Sequence, residues 1–219
     1  DEIKNINKLV TNTKSPLVTI ISGAKVSTKL NLINSLINKT DYMIIGGGIL
    51  NTFLAALNYN IGLSLYEKSF VDEAKKIIKS DNFNKIILPI DVVCSDDRQL
   101  DNPKNKLISM VQSPDKILDV GKKTLRKYTD IVKNAKTVFW NGPLGYLEQK
   151  PYDFGTIQLS KAIASANNFS IIGGGDTIPV IEKLGIENDI SCLSTGGGSL
   201  LKYIEGEKLP ILEKLGNYE

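Results

Sequence analysis

Short apolar runs rich in β-branched residues recur along the chain, and each is paired with a stretch whose apolar positions fall at helical spacing. Leu17-Val18-Thr19-Ile20-Ile21 reads as the first strand, and residues 27–38 as the helix after it, with Leu30, Ile33, Leu36 and Ile37 on one face. Tyr42-Met43-Ile44-Ile45 predicts a strand before a helix over 49–58. A helix over 69–80 leads into Lys85-Ile86-Ile87-Leu88, and one over 121–134 into Thr137-Val138-Phe139-Trp140. The series ends with a helix over 154–166, the strand Phe169-Ser170-Ile171-Ile172, a helix over 177–184, a strand over 190–194 and a helix over 198–204. Strands that are apolar throughout and alternate with helices must be covered on both faces. The pattern therefore predicts an α/β fold: one domain, with a doubly wound, mostly parallel, Rossmann-like sheet. Residues 95–106 depart from it, being dense in Asp, Lys, Asn and Pro. They read as an exposed loop joining a short antiparallel pair, 91–94 with 107–111.

Composition narrows the chemistry. With 42% hydrophobic and 23% charged residues over 219 positions, disordered and collagen-like classes are excluded. A net charge of +3 is too small to predict a nucleic-acid or anionic-membrane surface. Cys94 and Cys192 lie far apart without a C-x-x-C, which argues against a disulfide scaffold or zinc site and for a reducing, cytoplasmic setting. The absence of histidine excludes every His-dependent triad, relay and metal site within the chain. The uncharged stretch from Tyr42 to Tyr66 is long enough for a membrane span, but its glycines and asparagines make it a strand, a turn and a buried helix. Asp1-Glu2-Ile3-Lys4 lacks both a basic start and an apolar core, so no signal peptide is expected there. The chain starts at Asp1 without Met, so the expectation is a piece of something longer.

Half of the 18 glycines fall in three triplets, Gly46-Gly47-Gly48, Gly173-Gly174-Gly175 and Gly196-Gly197-Gly198, where ordinary usage would give roughly 0.1. Each stands where a predicted strand gives way to a helix. In a doubly wound sheet that edge is the ligand crevice, and glycine amides at helix starts suit an anion such as a polyphosphate. Taken singly, each triplet is also consistent with a tight turn or close helix packing. A Walker-A loop is absent, and Asn51 replaces the last glycine that a dinucleotide fingerprint would require, which disfavours a dehydrogenase.

Other groups belong to the same edge. Lys25 and Lys29 follow the first strand, four apart, and are expected on one face of a helix start. Asn141-Gly142-Pro143 follows another strand, with Glu148 just beyond, and Asp176 follows the second triplet. Asp176 could hold Mg²⁺ against phosphate oxygens or simply cap a helix; the lysines could be solvated and Asn141-Gly142 a plain turn.

In order, Gly23-Ala24-Lys25-Val26, Met43-Ile44-Ile45-Gly46-Gly47-Gly48, Leu88-Pro89-Ile90-Asp91, Trp140-Asn141-Gly142-Pro143, Gly173-Gly174-Gly175-Asp176 and Ser194-Thr195-Gly196-Gly197-Gly198 resemble the phosphoglycerate kinase family, in its C-terminal nucleotide-binding half. Glu205-Gly206 and Leu209-Pro210 resemble its ending. The resemblance covers nearly all of residues 1–219 and implies reversible phosphoryl transfer between ATP and 3-phosphoglycerate, giving ADP and 1,3-bisphosphoglycerate. It implies Mg²⁺ with the nucleotide and a monomeric, cytoplasmic glycolytic enzyme. By position, Lys25 would steady the transferring phosphoryl group and Lys29 the nucleotide phosphates. Gly23, Ala24, Gly47, Gly48 and Gly121 would border the adenine and ribose. Asn141, Gly142 and Pro143 would sit by phosphates and sugar, with Glu148 on the ribose hydroxyls. Gly174 and Gly175 would adjoin Asp176 on Mg²⁺ and Thr177 on a phosphate. The amides of Gly196, Gly197 and Gly198 would receive the phosphoryl group.

This chain departs from the family at Thr28, where Asp is usual, at Cys192, where His is common, and at Ser199-Leu200. It is also roughly half the family's length, and the family's other domain binds phosphoglycerate. Arg98 and Arg126 are the only arginines, and neither adjoins a glycine triplet. A substrate carrying phosphate and carboxylate favours bidentate Arg, so the acid is expected to bind in an N-terminal domain outside this chain. The alternatives are a nucleotide-binding module without turnover of its own and, more distantly, another small-molecule kinase.

Overall fold

The computed structural model describes residues 2–96 and 99–207; Arg98, Leu209 and Pro210 lie outside them. In chain order the strands are β1 (Leu17–Ile21), β2 (Tyr42–Ile45), β3 (Ile86–Ile87), β4 (Asp91–Ser95), β5 (Lys104–Leu107), β6 (Lys116–Val120), β7 (Thr137–Asn141), β8 (Phe169–Gly173) and β9 (Cys192–Ser194). The helices are α1 (Glu2–Thr11), α2 (Leu30–Ile37), α3 (Gly47–Ala56), α4 (Val71–Ile78), α5 (Lys122–Lys133), α6 (Phe154–Ala164), α7 (Ile178–Leu184) and α8 (Gly197–Ile204).

Six strands pair in parallel in the order β3-β2-β1-β7-β8-β9. Counted along the sheet's own strands this is 3-2-1-4-5-6, the doubly wound arrangement expected from the sequence. Chain direction across the sheet reverses between β1 and β7, where Ile20 pairs with both Ile44 and Trp140. Alternation along each strand sorts the core into two layers. Leu17, Ile21, Met43, Ile45, Phe139 and Ile171 pack under α1 to α4 and α8, while Val18, Ile20, Ile44, Val138, Trp140 and Ile172 pack under α5 to α7. At about 1.5–3 kcal/mol for each large side chain fully buried, these layers dominate the favourable side of folding. α3 is apolar on nearly every side because α4 packs on one side of it and β6 on another, so a stripe would leave part of it mispaired with its surroundings.

The polar segment needs correction. The partner of β4 is β5, residues 104–107, rather than 107–111; Ile108–Met110 turns as a short 3-10 helix. A third strand, β6, unread in the sequence, pairs with β4 on its other edge and carries a register shift at Val93/Cys94. Lys104, Asn105 and Lys106 belong to a strand despite their polarity, because β5 is an edge with one face to solvent. The sequence pattern also missed α1: among the residues of this polar-rich helix whose burial is described, Ile6 and Leu9 are the deeply buried ones, too few to set a period.

Candidate functional site

The site is built where β1 and β7 diverge. Ser22 leaves β1 with its amide donating to Asn141 O at 2.9 Å and its hydroxyl to Pro143 O. Gly47 N donates to Leu144 O at 3.1 Å, and Ile49 N to Gly23 O at 3.3 Å. Three loops, after β1, β2 and β7, are thus laced together by backbone hydrogen bonds. The close approach explains the first triplet: a Cβ on Gly47 or Gly48 would run into the backbone of Gly23 or Ala24.

Beside this seam opens a cleft of about 730 Å³. Gly23, Ala24, Gly47 and Gly48 form one wall, Pro143 to Glu148 a second, Gly175 and Asp176 a third, and β6 the floor. Leu63 and Leu65, both exposed, extend the apolar side. Next to the seam, the Lys29 ammonium donates to Asn141 Oδ1. Burial pulls the Lys29 pKa down, against the opposing charges of Glu205 and Asp176. A half-desolvated cation facing two carboxylates is suited to an anion that arrives with its own counter-cation. Thr177 is fully buried, and its hydroxyl has no hydrogen-bond partner although it sits beside Gly174. An orphaned donor at a glycine turn is what an absent phosphate oxygen would satisfy.

The two lysines do not share a helical face. α2 begins only at Leu30, with Lys29 at its cap position. Residues 23–28 form a bent segment because side chains compete for the backbone: Thr28 Oγ1 donates to Lys25 O at 3.0 Å, and Ser27 N and Oγ donate to Glu67 at 2.8 and 2.7 Å. Lys25 is exposed on this bend, close enough to Glu67 to act on it by charge, whereas Lys29 turns inward. The capping alternative for Asp176 also falls away, since the cap position of α7 is Thr177. Asp176 stays exposed at the cleft.

Of the sequence-predicted residues, Gly23, Ala24, Gly47, Gly48, Pro143, Glu148, Gly175 and Asp176 border the cleft, and Lys29, Asn141, Gly142, Gly174 and Thr177 cluster behind its phosphate-suited end. Gly196, Gly197 and Gly198 open α8, with the last two facing open space. Gly121 is not brought to the cleft lining: it starts α5 and packs against the buried Asp91 carboxylate. Burial pushes the Asp91 carboxyl up, but hydrogen bonds from Asn105, Thr124 and Lys123 outweigh it and hold the group below the usual range.

Two site residues escaped the sequence reading. Glu205, in Glu205-Gly206, carries no chemical signal in the sequence, and the fold brings it near Lys29. Asp119 had a usable signal, an acid inside the apolar run Ile117-Leu118-Asp119-Val120. Among the described residues no three acidic or sulfur ligands converge, so a metal here would be held by Asp176 together with ligand oxygens. No helix among them is long and apolar enough to cross a membrane.

Fold and edge together define an α/β protein of the doubly wound class with an anion-suited crevice at its switch point. The family model for phosphoglycerate kinase matches residues 1–207. Phosphoglycerate kinases of Buchnera aphidicola subsp. Schizaphis graminum and Vibrio campbellii are 46% and 42% identical over 215 and 220 residues, covering 98% of this chain and 55% of each relative. The structure of phosphoglycerate kinase from Coxiella burnetii superposes with a TM-score of 0.93 at 37% identity, over 99% of this chain and 56% of that one. The chain belongs to the phosphoglycerate kinase family, and it spans about half the length of the relatives it matches.

Proposed function

We propose that this chain supplies the nucleotide site of a phosphoglycerate kinase, which moves a phosphoryl group reversibly between ATP and 3-phosphoglycerate. The observation that carries the reading is the meeting of Lys29, Asn141, Asp176 and the orphaned Thr177 hydroxyl at one end of the cleft. Base and ribose lie along Gly23, Ala24, Gly47 and Gly48, and the exposed Glu148 carboxylate accepts from the ribose hydroxyls. Gly121 shapes the base end from behind, through Asp91 and the start of α5. Lys29 and Thr177 contact the phosphates, and Asp176 holds Mg²⁺, which arrives with the nucleotide and neutralises phosphate charge. Lys25, exposed on the bend, steadies the group in transit, and the amides of Gly196, Gly197 and Gly198 receive it at the start of α8.

Phosphoryl transfer of this kind requires positioning and charge stabilisation but no protein nucleophile. A chain without histidine can therefore perform its share. Arg126 lies in a groove between α5 and α6, apart from the cleft, so it does not serve the acid substrate. We assign recognition of 3-phosphoglycerate to the half of the relatives that this chain does not span. By itself, the chain binds Mg-nucleotide without turnover. Two buried, unpaired cysteines support a cytoplasmic setting, and we read the protein as a monomer.

Calorimetry with Mg-ADP and Mg-ATP tests the site directly. Glu148→Ala is expected to weaken binding by about 1–2 kcal/mol, the scale of hydrogen bonds to a charged group, and the 2′,3′-dideoxynucleotide should show the same deficit on the unaltered chain. Turnover of 3-phosphoglycerate by the chain alone, or equal binding of both nucleotides, would refute the respective assignment.

A further inference from the structure

Asp119 is 2% exposed, yet it borders the cleft from β6. Its carboxylate does two jobs at once. Oδ2 accepts from Gly155 N at 2.7 Å, satisfying a free amide in the first turn of α6, and Oδ1 accepts from Val120 N at 2.8 Å. The loop that carries Pro143 and Glu148 rests on the same group: a Cβ on Gly145 would lie 2.6 Å from the Asp119 carboxyl. The next residue is tied to the same strand, with Tyr146 N donating to Leu118 O at 2.8 Å.

We propose that Asp119 is a positioning residue for nucleotide binding, its ionised carboxylate locking α6 and the 143–148 loop onto β6 so that Pro143 and Glu148 are held at the cleft. The inference rests on the nucleotide reading of the cleft and adds to it a residue that touches no ligand.

The ionisation matters because two amides need two acceptor oxygens. Protonation turns one oxygen into a hydroxyl, a poor acceptor for an N–H already aimed at it. Burial pushes the Asp119 carboxyl up, the Gly155 and Val120 amides pull it back in part, and Asp153 at the head of α6 raises it again, to about 7 in all. On β4 the residue opposite is Val93, which carries no charge. Lys116, three residues earlier on β6, and Tyr146 and Glu148, on the loop, are the other ionisable groups of these two cleft walls. The two amides favour the ionised form over a carboxyl that stays buried without them, so within the folded state the lock is tighter above neutrality than below it, although ionising so buried a group lowers the stability of the fold as a whole.

The test compares wild type with Asp119→Asn, which is isosteric but has a single acceptor oxygen. Mg-ADP affinity is measured from pH 5.5 to 8.5, and the ratio of the two proteins cancels the titration of the nucleotide itself. At pH 8 the wild type should bind about 3–10-fold more tightly, the worth of roughly one hydrogen bond, and the ratio should fall to one below pH 6. A constant ratio across the range would overturn the proposal. Two readouts do not depend on nucleotide. Amides 145–148 and 155 should exchange faster in Asp119→Asn at pH 8, and the Gly155 amide resonance of the wild type should titrate with a midpoint near 7. Equal exchange, or no such titration, would overturn the lock even if the variant folds poorly. If the wild type binds no nucleotide while these two signals appear, the cleft assignment fails and the lock stands.

Discussion

The first and third glycine triplets look alike in the sequence and do opposite things in the fold. Gly47 and Gly48 are pressed against the backbone of Gly23 and Ala24, so their missing side chains are occupied by the protein itself. Gly197 and Gly198 face open space, with nothing within 4 Å of where a Cβ would stand. The first triplet is a seam that closes the wall of the cleft; the third leaves open space beside Gly197 and Gly198 at the start of α8. A glycine run therefore marks a close approach without saying whether the visitor is the chain's own backbone or a ligand. The second triplet is mixed, with Gly173 buried behind Leu200 and Gly175 open at the cleft.

The contrast can be broken in four ways. The largest effect should come from the bend that the seam holds in place and that carries Lys25. In a chain joined to the half of a relative that it does not span, Lys25→Ala should cut kcat several hundred-fold, about 3–4 kcal/mol of barrier, with little change in nucleotide affinity. A variant that kept most of its kcat would show that the open amides suffice. Second comes the floor of the cleft. The pKa of Asp119 is raised in the folded state, so its contribution to stability is greatest below the ordinary carboxylate range and is lost as pH rises towards about 7. Urea unfolding should show the wild type losing stability relative to Asp119→Asn by up to about 1.4 kcal/mol per pH unit between pH 5 and 7, and no further above that window; a difference independent of pH would disprove this.

Third, Gly48→Ala should cost about 1–3 kcal/mol of stability, because its methyl meets the Ala24 carbonyl and the seam must open. Smallest is Gly198→Ala, which should change stability by less than about 0.5 kcal/mol while still lowering turnover of the joined chain. The pair sharpens the comparison: similar losses of stability at positions 48 and 198 would mean that both triplets are structural.

Among the described residues, periodicity alone located seven of the eight helices and the six parallel strands, because each apolar run had to be buried on both faces and few other arrangements achieve that. The ordered motifs named the family for the same reason that they named the edge: strand ends, glycines and charged residues at set intervals admit few readings. Yet the pattern misplaced the partner of β4 and missed β6. There the strands are half-solvated, so polar residues such as Lys104 and Lys106 interrupt the signal.

What the sequence by itself determined was the order of layers, the sheet edge at which chemistry gathers and the residue types available there. Only the tertiary structure decided which of those residues meet. Lys25 and Lys29, equal in the sequence, part company because hydrogen bonds from Ser27 and Thr28 bend the chain before α2 can begin. Glu205 faces Lys29 from the far end of the chain, and Asp119 reaches Gly155 across 36 positions. Local spacing encodes neighbours within a turn or a strand. Burial, desolvation and the pairing of distant charges depend on three-dimensional distance, which is set only when the sheet closes around its core.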